Sequence, residues 1–348
     1  MRVSQEGRRP LRIAVIGTGR IGTLHSEILA REIPQAALHS VYDHDLEKSM
    51  LTAERLGVPY AESVDELLAG DADAVAICSS TETHAQLLIQ AAAKGKAIFC
   101  EKPVSLELAE VDRALAAVRA AGVPFQIGFN RRYDPAHASV QAAVRAGQVG
   151  EPHLVRITSR DPEPPPLSYV KVSGGLFVDM TIHDFDMARF VAGSEVAEVY
   201  ARGAVRVDPG FGEAGDVDTA VVMLVHESGC LTAIDNSRRA SYGYDQRVEV
   251  FGSLGVAFSE DPLRHTGVLR TAAGTHRPAL PHFFLDRYRA SYVSQWERFV
   301  ARINGEESSE DQLCDARAPL LIGLAAWRSV REARCVAVNE FEHECKSS

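Results

Sequence analysis

Leu11-Arg12-Ile13-Ala14-Val15-Ile16-Gly17-Thr18-Gly19-Arg20-Ile21-Gly22 decides the fold of the first third of this chain. A short β-branched run ends in three glycines spaced Gly-x-Gly-x-x-Gly, and a helical pattern opens at Ile21. In that context each glycine does something different: Gly17 allows a tight turn, Gly19 lets the backbone approach a pyrophosphate, and Gly22 lets the helix pack closely on the strand. The helix N-terminus offers free N–H groups and a positive dipole end to phosphates. Arg20 and Ile21, lying between the glycines, belong to the same expected cofactor contact. Asp43 ends the next strand, about twenty residues on, where its carboxylate would accept hydrogen bonds from an adenosine ribose. A carboxylate there also repels a 2′-phosphate, so NAD is expected rather than NADP. The alternative is that Asp43 opens a turn with His44 and Asp45.

Working outward, β-branched runs alternate with helical stretches from Leu11 to Gly128, the pattern of a parallel sheet with crossover helices. Strands are expected at 11–16, 38–42, 74–78, 97–100 and 124–127, and helices at 21–32, 46–56, 83–94 and 106–121. That is a doubly wound α/β Rossmann domain over residues 11–128, preceded by a flexible lead-in over residues 1–10. Beyond Gly128 the character changes. A helix at 135–146, a strand at 153–159, a proline-rich loop from Pro162 to Pro166 and a helix at 182–192 come first. Strands then follow without intervening helices at 197–205, 219–226, 231–237, 247–252 and 268–271, with Glu227-Ser228-Gly229 as a hairpin turn. Such an order implies an α+β domain with a large, mainly antiparallel open sheet. Helices at 289–304 and 314–336 close residues 129–348, the expected substrate-binding and oligomerisation domain, and the last can pack back on the first domain.

The bulk numbers agree with a two-domain enzyme. The chain has 348 residues, 46% hydrophobic content, a net charge of −10 and a pI near 5.7. An acidic protein lacks the positive field that nucleic acid or an anionic membrane requires. No run approaches the roughly 20 apolar residues of a membrane span, and the apolar stretch after Arg8-Arg9 is too short for an export signal. The six cysteines, Cys78, Cys100, Cys230, Cys314, Cys335 and Cys345, are scattered without metal-ligand spacing. A reducing cytoplasm is the expected location, with no metal.

Three further places carry candidate chemistry. Ser79-Ser80-Thr81-Glu82-Thr83-His84 follows a sheet strand, where ligands of open α/β sheets gather, so Ser79, Thr81 and His84 are candidate cofactor contacts. Thr81 or Thr83 serves equally well as a helix N-cap. Glu101-Lys102-Pro103 follows the next strand, which directs Lys102 toward the same cleft. In Asp179-Met180-Thr181-Ile182-His183-Asp184, Thr181 reads as an N-cap with Asp184 three positions on, a variant capping box, leaving His183 in a helix's first turn. The helix dipole favours the neutral imidazole and Asp179 the charged one; opposed in this way, they poise a histidine near neutral pH. That suits a general base for oxidising an alcohol.

Together, GTGRIG, Asp43, CSSTETH, the EKP triplet and the Asp179/His183 pair resemble the glucose–fructose oxidoreductase, inositol dehydrogenase and rhizopine-catabolism (Gfo/Idh/MocA) family. GFNRRYDP, SRDPEPPPLSYVKVSGGLFVDMTIHDFDMARF and SRRASYGYDQRVEVFGS resemble, more narrowly, its inositol 2-dehydrogenases. The resemblance runs from Leu11 to about Arg334. It implies a catalytic set of Lys102, Asp179 and His183 that oxidises myo-inositol at C2 with NAD, Glu101 and Lys102 beside the cofactor, and assembly through the open sheet, commonly as tetramers. Asn130, Arg131, Asp161, Tyr242 and Tyr244 lie in the resembling segments and are candidate contacts for a polyol's hydroxyls. One of Arg131 and Arg132 is expected to face the cleft and the other a carboxylate. Tyr242 and Tyr244 share a face only if their run stays extended. Rival readings are another inositol isomer or a pyranose as substrate, a non-catalytic NAD-binding regulator, and an NAD-dependent glycosidase.

Overall fold

Apolar runs bounded by glycine or turn residues become the strands of an all-parallel sheet. In the computed structural model, which describes residues 9–341, these are β1 (Leu11–Ile16), β2 (Ala36–Tyr42), β3 (Ala74–Ile77), β4 (Ala97–Cys100) and β5 (Phe125–Ile127). They lie in the order β2-β1-β3-β4-β5. Every residue of β3, β4 and β5 is buried, as a sheet covered by helices on both faces requires. The helices are α1 (Arg20–Arg31), α2 (Leu46–Leu56), α3 (Val64–Ala69), α4 (Thr81–Ala93) and α5 (Leu108–Ala121). β1 pairs with both β2 and β3, which makes the β1/β3 boundary the point where strand order reverses. Gly17 follows β1 and Ser79 closely follows β3, so both loops open at the crevice where such sheets bind ligands.

The lead-in expected over residues 1–10 falls almost wholly outside the described residues. Of it, Arg9 is tied down, its Nη1 and Nη2 donating to the two oxygens of Asp73 at 2.9 and 2.8 Å.

Close packing divides the chain into two units, one of residues up to Phe129 with Tyr292–Arg317, the other of Asn130–Ser291 with the chain from Ala318 onward. In the first, Trp296 packs on Phe99 of β4 with ring centroids 4.7 Å apart. The remaining elements are α6 (Pro135–Arg145), β6 (Pro152–Arg160), α7 (Leu167–Val170), α8 (Gly175–Asp179), α9 (Ile182–Ala192), β7 (Val196–Ala204) and α10 (Pro209–Glu213). After them come β8 (Thr219–His226), β9 (Leu231–Ser237), β10 (Asp245–Gly252), β11 (Val256–Ser259), β12 (Leu269–Thr271), β13 (Gly274–His276), α11 (Phe284–Ile303), α12 (Glu310–Glu332) and β14 (Val336–Ala337).

Seven strands of the second unit form one sheet in the order β11-β10-β6-β9-β8-β7-β14. Only β6 and β9 run parallel; every other pairing is antiparallel. The strand expected at 268–271 does not join this sheet. It pairs with β13 in a separate hairpin whose residues are all exposed, so no apolar face draws it onto the core.

Candidate active site

Within the first unit, the glycines enforce the loop between β1 and α1. Gly17 has φ +95°, and a Cβ there would lie 2.5 Å from the Ser79 nitrogen; a Cβ on Gly22 would lie 1.8 Å from the Gly17 carbonyl oxygen. Both positions exclude any side chain. A Cβ on Gly19 meets nothing within 4 Å, so this residue keeps open the approach to the N-terminus of α1. The open side at Gly19, with no acidic residue in the first turn of α1, fits a pyrophosphate.

Asp43 is buried and builds this loop. Its Oδ2 accepts from the Thr18 backbone N–H at 2.7 Å and hydroxyl at 3.2 Å, and its Oδ1 accepts from the Asp45 N–H at 3.0 Å. The carboxylate therefore opens the turn with Asp45 and also clamps the glycine loop. Thr18 went unnoticed because the motif assigns that position no chemistry.

Beyond β3, Ser79 Oγ and Thr83 Oγ1 are 2.6 Å apart and Thr83 donates to the Ser80 carbonyl at 2.8 Å. Thr81 is the first residue of α4, and the N-cap position falls to Ser80, without a side-chain bond, so neither threonine is the expected N-cap. His84 corrects the sequence reading more sharply. It is 2% exposed, with Nδ1 2.8 Å from the Pro103 carbonyl and Nε2 2.9 Å from the Ser79 carbonyl. Burial lowers its pKa. It lies beneath the surface and ties the end of β3 to the Lys102-Pro103 segment instead of presenting a nitrogen to a cofactor.

Glu101 is likewise turned inward. Trp296 Nε1 donates to His25 Nδ1 at 3.0 Å, and because indole only donates, the His25 proton must sit on Nε2, 2.8 Å from Glu101 Oε1. The backbone on which Lys102 stands is thus held by buried contacts on both sides.

The second unit carries the Asp179/His183 pair. Asp179 ends α8, where Oδ1 accepts from Tyr169 Oη at 2.9 Å and Oδ2 lies 3.0 Å from Arg238 Nη1. His183, half-buried, occupies the first turn of α9 as expected. The capping box does not form. Thr181 donates to Asn236 Oδ1 at 2.8 Å, and Asp184, fully buried, accepts from Arg131 Nη1 at 2.7 Å and Asn236 Nδ2 at 2.8 Å. A buried carboxylate needs cationic or amide donors more than a helix start needs a cap. This Arg131–Asp184–Asn236–Thr181 network fixes the start of α9.

Its existence corrects several substrate contacts read from sequence. Arg131 is 6% exposed and engaged with Asp184, while Arg132 forks onto Asp186 at 2.8 and 2.6 Å, so both arginines face carboxylates. Asn130 is buried and donates to Ser291 Oγ at 3.0 Å. Tyr242 and Tyr244 do not share a face: Gly243 turns the chain with φ +124°, leaving Tyr242 exposed and bonded to Asp245 while Tyr244 is buried with its hydroxyl 3.5 Å from Arg131 Nη2. Asp161 is half-buried at the edge of the network. Burial pushes its carboxyl up to about 6, against the pull of Arg238 and Arg131.

Asn236 and Arg238 were missed, yet a signal existed. Thr232, Ile234 and Asn236 share the inward parity of β9, and a polar residue at an inward position marks a buried hydrogen-bonder. Among the described residues, no cluster of three or more His, Cys, Asp or Glu side chains is placed to hold a metal, and no helix is long and apolar enough to cross a membrane.

Two family models match this chain. Residues 11–129 match an oxidoreductase family with an NAD-binding Rossmann fold, and residues 137–258 match the GFO/IDH/MocA C-terminal domain. The myo-inositol 2-dehydrogenase of Thermotoga maritima is 48% identical over 332 residues, covering 95% of this chain and 99% of that protein. The inositol 2-dehydrogenase of Rhizobium meliloti is 42% identical, covering 94% and 99%. A crystal structure of scyllo-inositol dehydrogenase from Lactobacillus casei with bound NAD(H) and scyllo-inositol superposes with a TM-score of 0.88 at 27% identity, covering 95% and 99%.

Proposed function

We propose that this chain, which belongs to the Gfo/Idh/MocA oxidoreductase family with an NAD-binding Rossmann fold, oxidises myo-inositol at C2 to the 2-keto inositol (scyllo-inosose). The observation that carries the reading is the Asp179/His183 arrangement: an imidazole in the first turn of α9, with a carboxylate four residues earlier held by Tyr169 and Arg238. Names of similar proteins add the substrate class.

In this reading His183 accepts the proton of the C2 hydroxyl, Lys102 holds and polarises that oxygen, and Asp179 orients substrate and imidazole. Bound NAD supplies the acceptor for the hydride. Gly17, Gly19, Arg20, Ile21 and Gly22 receive its pyrophosphate, and Asp43, braced by Thr18, selects the unphosphorylated ribose. Ser79 and Thr81 reach toward the cofactor, whereas Glu101 and His84 set the backbone from which Lys102 projects.

Assembly follows from the sheet's outer face. Val225, Leu231, Leu154, Phe251 and Val256 stand directly opposite one another across five strands, an apolar row with Met223 and Phe258 beside it. Monomeric proteins seldom expose so contiguous an apolar patch, and a second copy offers the matching row. A homotetramer built from such pairs, working in the reducing cytoplasm, completes the reading.

The scyllo-inositol complex of the similar protein favours a second reading, in which another inositol isomer is preferred. Purified protein with NAD and, separately, myo-inositol, scyllo-inositol and glucose, followed by NADH absorbance, decides between them. Fastest turnover with myo-inositol is expected; NADH formation with glucose alone overturns the proposal.

A further inference from the structure

Arg238 continues the inward parity of β9 one step past its end and is 3% exposed. A single nitrogen, Nη1, stands 3.0 Å from Asp179 Oδ2 and 3.8 Å from Asp161 Oδ2. Its Nε and Nη2 are buried and, among the described residues, have no hydrogen-bond acceptor. A guanidinium serving one structural carboxylate normally forks onto both of its oxygens. Here it bridges two carboxylates from different elements, Asp161 just after β6 and Asp179 at the end of α8. Asp216 faces the same cation from the loop before β8, and Arg131 and Asp184 face Asp161. Without the bridging cation, two neighbouring carboxylates repel and one takes up a proton, turning an acceptor into a donor.

We propose that Arg238 is a positioning residue that holds Asp161 and Asp179 as an anionic pair, so that the pair accepts hydrogen bonds from two adjacent substrate hydroxyls and selects a vicinal diol over an isolated alcohol. The inference rests on the reading of both carboxylates as substrate contacts. It gives Arg238 a role in recognition of the polyol and none in the cradle for NAD.

Arg238→Met removes the charge at similar length, and Arg238→Lys keeps it without the fork. The expected result for Arg238→Met is a KM for myo-inositol raised on the order of tenfold or more, with a smaller fall in kcat, as for a lost charge-assisted pair. NAD affinity, read by protein fluorescence, stays within about twofold of wild type, since the cradle of the first unit is untouched. In wild type, kcat/KM falls as pH drops through about 6, where Asp161 protonates; in Arg238→Met that limb moves to higher pH, and Arg238→Lys brings it partway back. As inhibitors of the wild type, 1,2-cyclohexanediol outcompetes cyclohexanol, and the preference collapses in Arg238→Met. Should the methionine variant not fold, Asp161→Asn carries the same test, raising KM and abolishing the diol preference. A folded Arg238→Met with wild-type KM, limb and diol preference overturns this inference alone. Wild type that reduces no NAD with any inositol overturns the reading of the reaction, and this inference with it.

Discussion

Asp184→Asn separates the scaffold beneath His183 from the chemistry above it. Asp184 is fully buried, Arg131 is 6% exposed, and the two meet at 2.7 Å. Asparagine keeps the shape but removes the charge and turns an N–H₂ group toward either Arg131 or Asn236, both donors. Breaking a buried pair by removing one partner costs about 3–5 kcal/mol, because the remaining ion is left uncompensated. Set against a typical domain stability of about 5–15 kcal/mol, the variant folds but melts early, by roughly 10 °C at about 2–4 °C per kcal/mol. Removing the second charge as well, in Asp184→Asn with Arg131→Met, should recover most of that loss. Urea and thermal unfolding of wild type, single and double variants measure the cycle, with NADH formation alongside. In the single variant kcat falls more than NAD affinity, since the start of α9 loosens while the first unit is intact. A loss under about 1 kcal/mol in the single variant, or a double variant no more stable than the single, refutes the claim that this pair anchors the helix.

Other outcomes follow from the same contacts. His137 is buried between Ser259 and Tyr288, and burial holds its pKa down at about 4 against an ordinary 6.5. Its folded-state pKa is depressed, so the folded state binds fewer protons than the unfolded chain between those values. Stability is therefore full above about 6.5 and is lost as pH falls toward 4, by about 3 kcal/mol from this group; His137→Gln should flatten urea midpoints across that window. Asp43→Ser removes both the proposed ribose acceptor and the clamp on Thr18. NAD affinity should drop at least tenfold and discrimination against NADP should narrow, as fluorescence titrations with the two cofactors will report. Gly22→Ala places a Cβ 1.8 Å from the Gly17 carbonyl oxygen and should abolish NAD binding while the second unit's far-UV signal persists.

How far the sequence could be read depended on whether a residue's role is set locally. The Gly-x-Gly-x-x-Gly loop was legible because its constraints are backbone ones, visible as glycines between a strand and a helix. β3 and β4 were legible as continuous apolar runs, β1, β2 and β5 as short, largely apolar ones between turn residues, and β8 and β9 as successive strand runs without a helix between them. The short helix α3 was overlooked although Ser63 and Glu66 have capping-box spacing, Ser63 Oγ accepting from Glu66 N–H and Glu66 accepting from the neighbouring Glu62 N–H. β11 and β13 carry little burial, so no apolar pattern announced them, whereas β12 was expected at 268–271 and only its partner strand was misjudged. In the candidate site, Lys102, Asp179 and His183 were singled out by motif. Arg131 was assigned to substrate and proved to belong to Asp184, 53 positions away, and Asn236 to Thr181, 55 away. Partners that distant meet only through the sheet, and no spacing rule reports them.

The proposed chemistry turns on Lys102 and His183 serving one carbinol oxygen. A crystal structure of the protein with NADH and scyllo-inosose, or with NAD and myo-inositol in a Lys102→Met variant expected to turn over slowly, tests this directly. An imidazole nitrogen of His183 and, where Lys102 is present, its Nζ should lie within about 3.2 Å of the same C2 oxygen. A bound ligand whose C2 oxygen touches neither side chain, or a pair of side chains that reach different hydroxyls, rules the mechanism out.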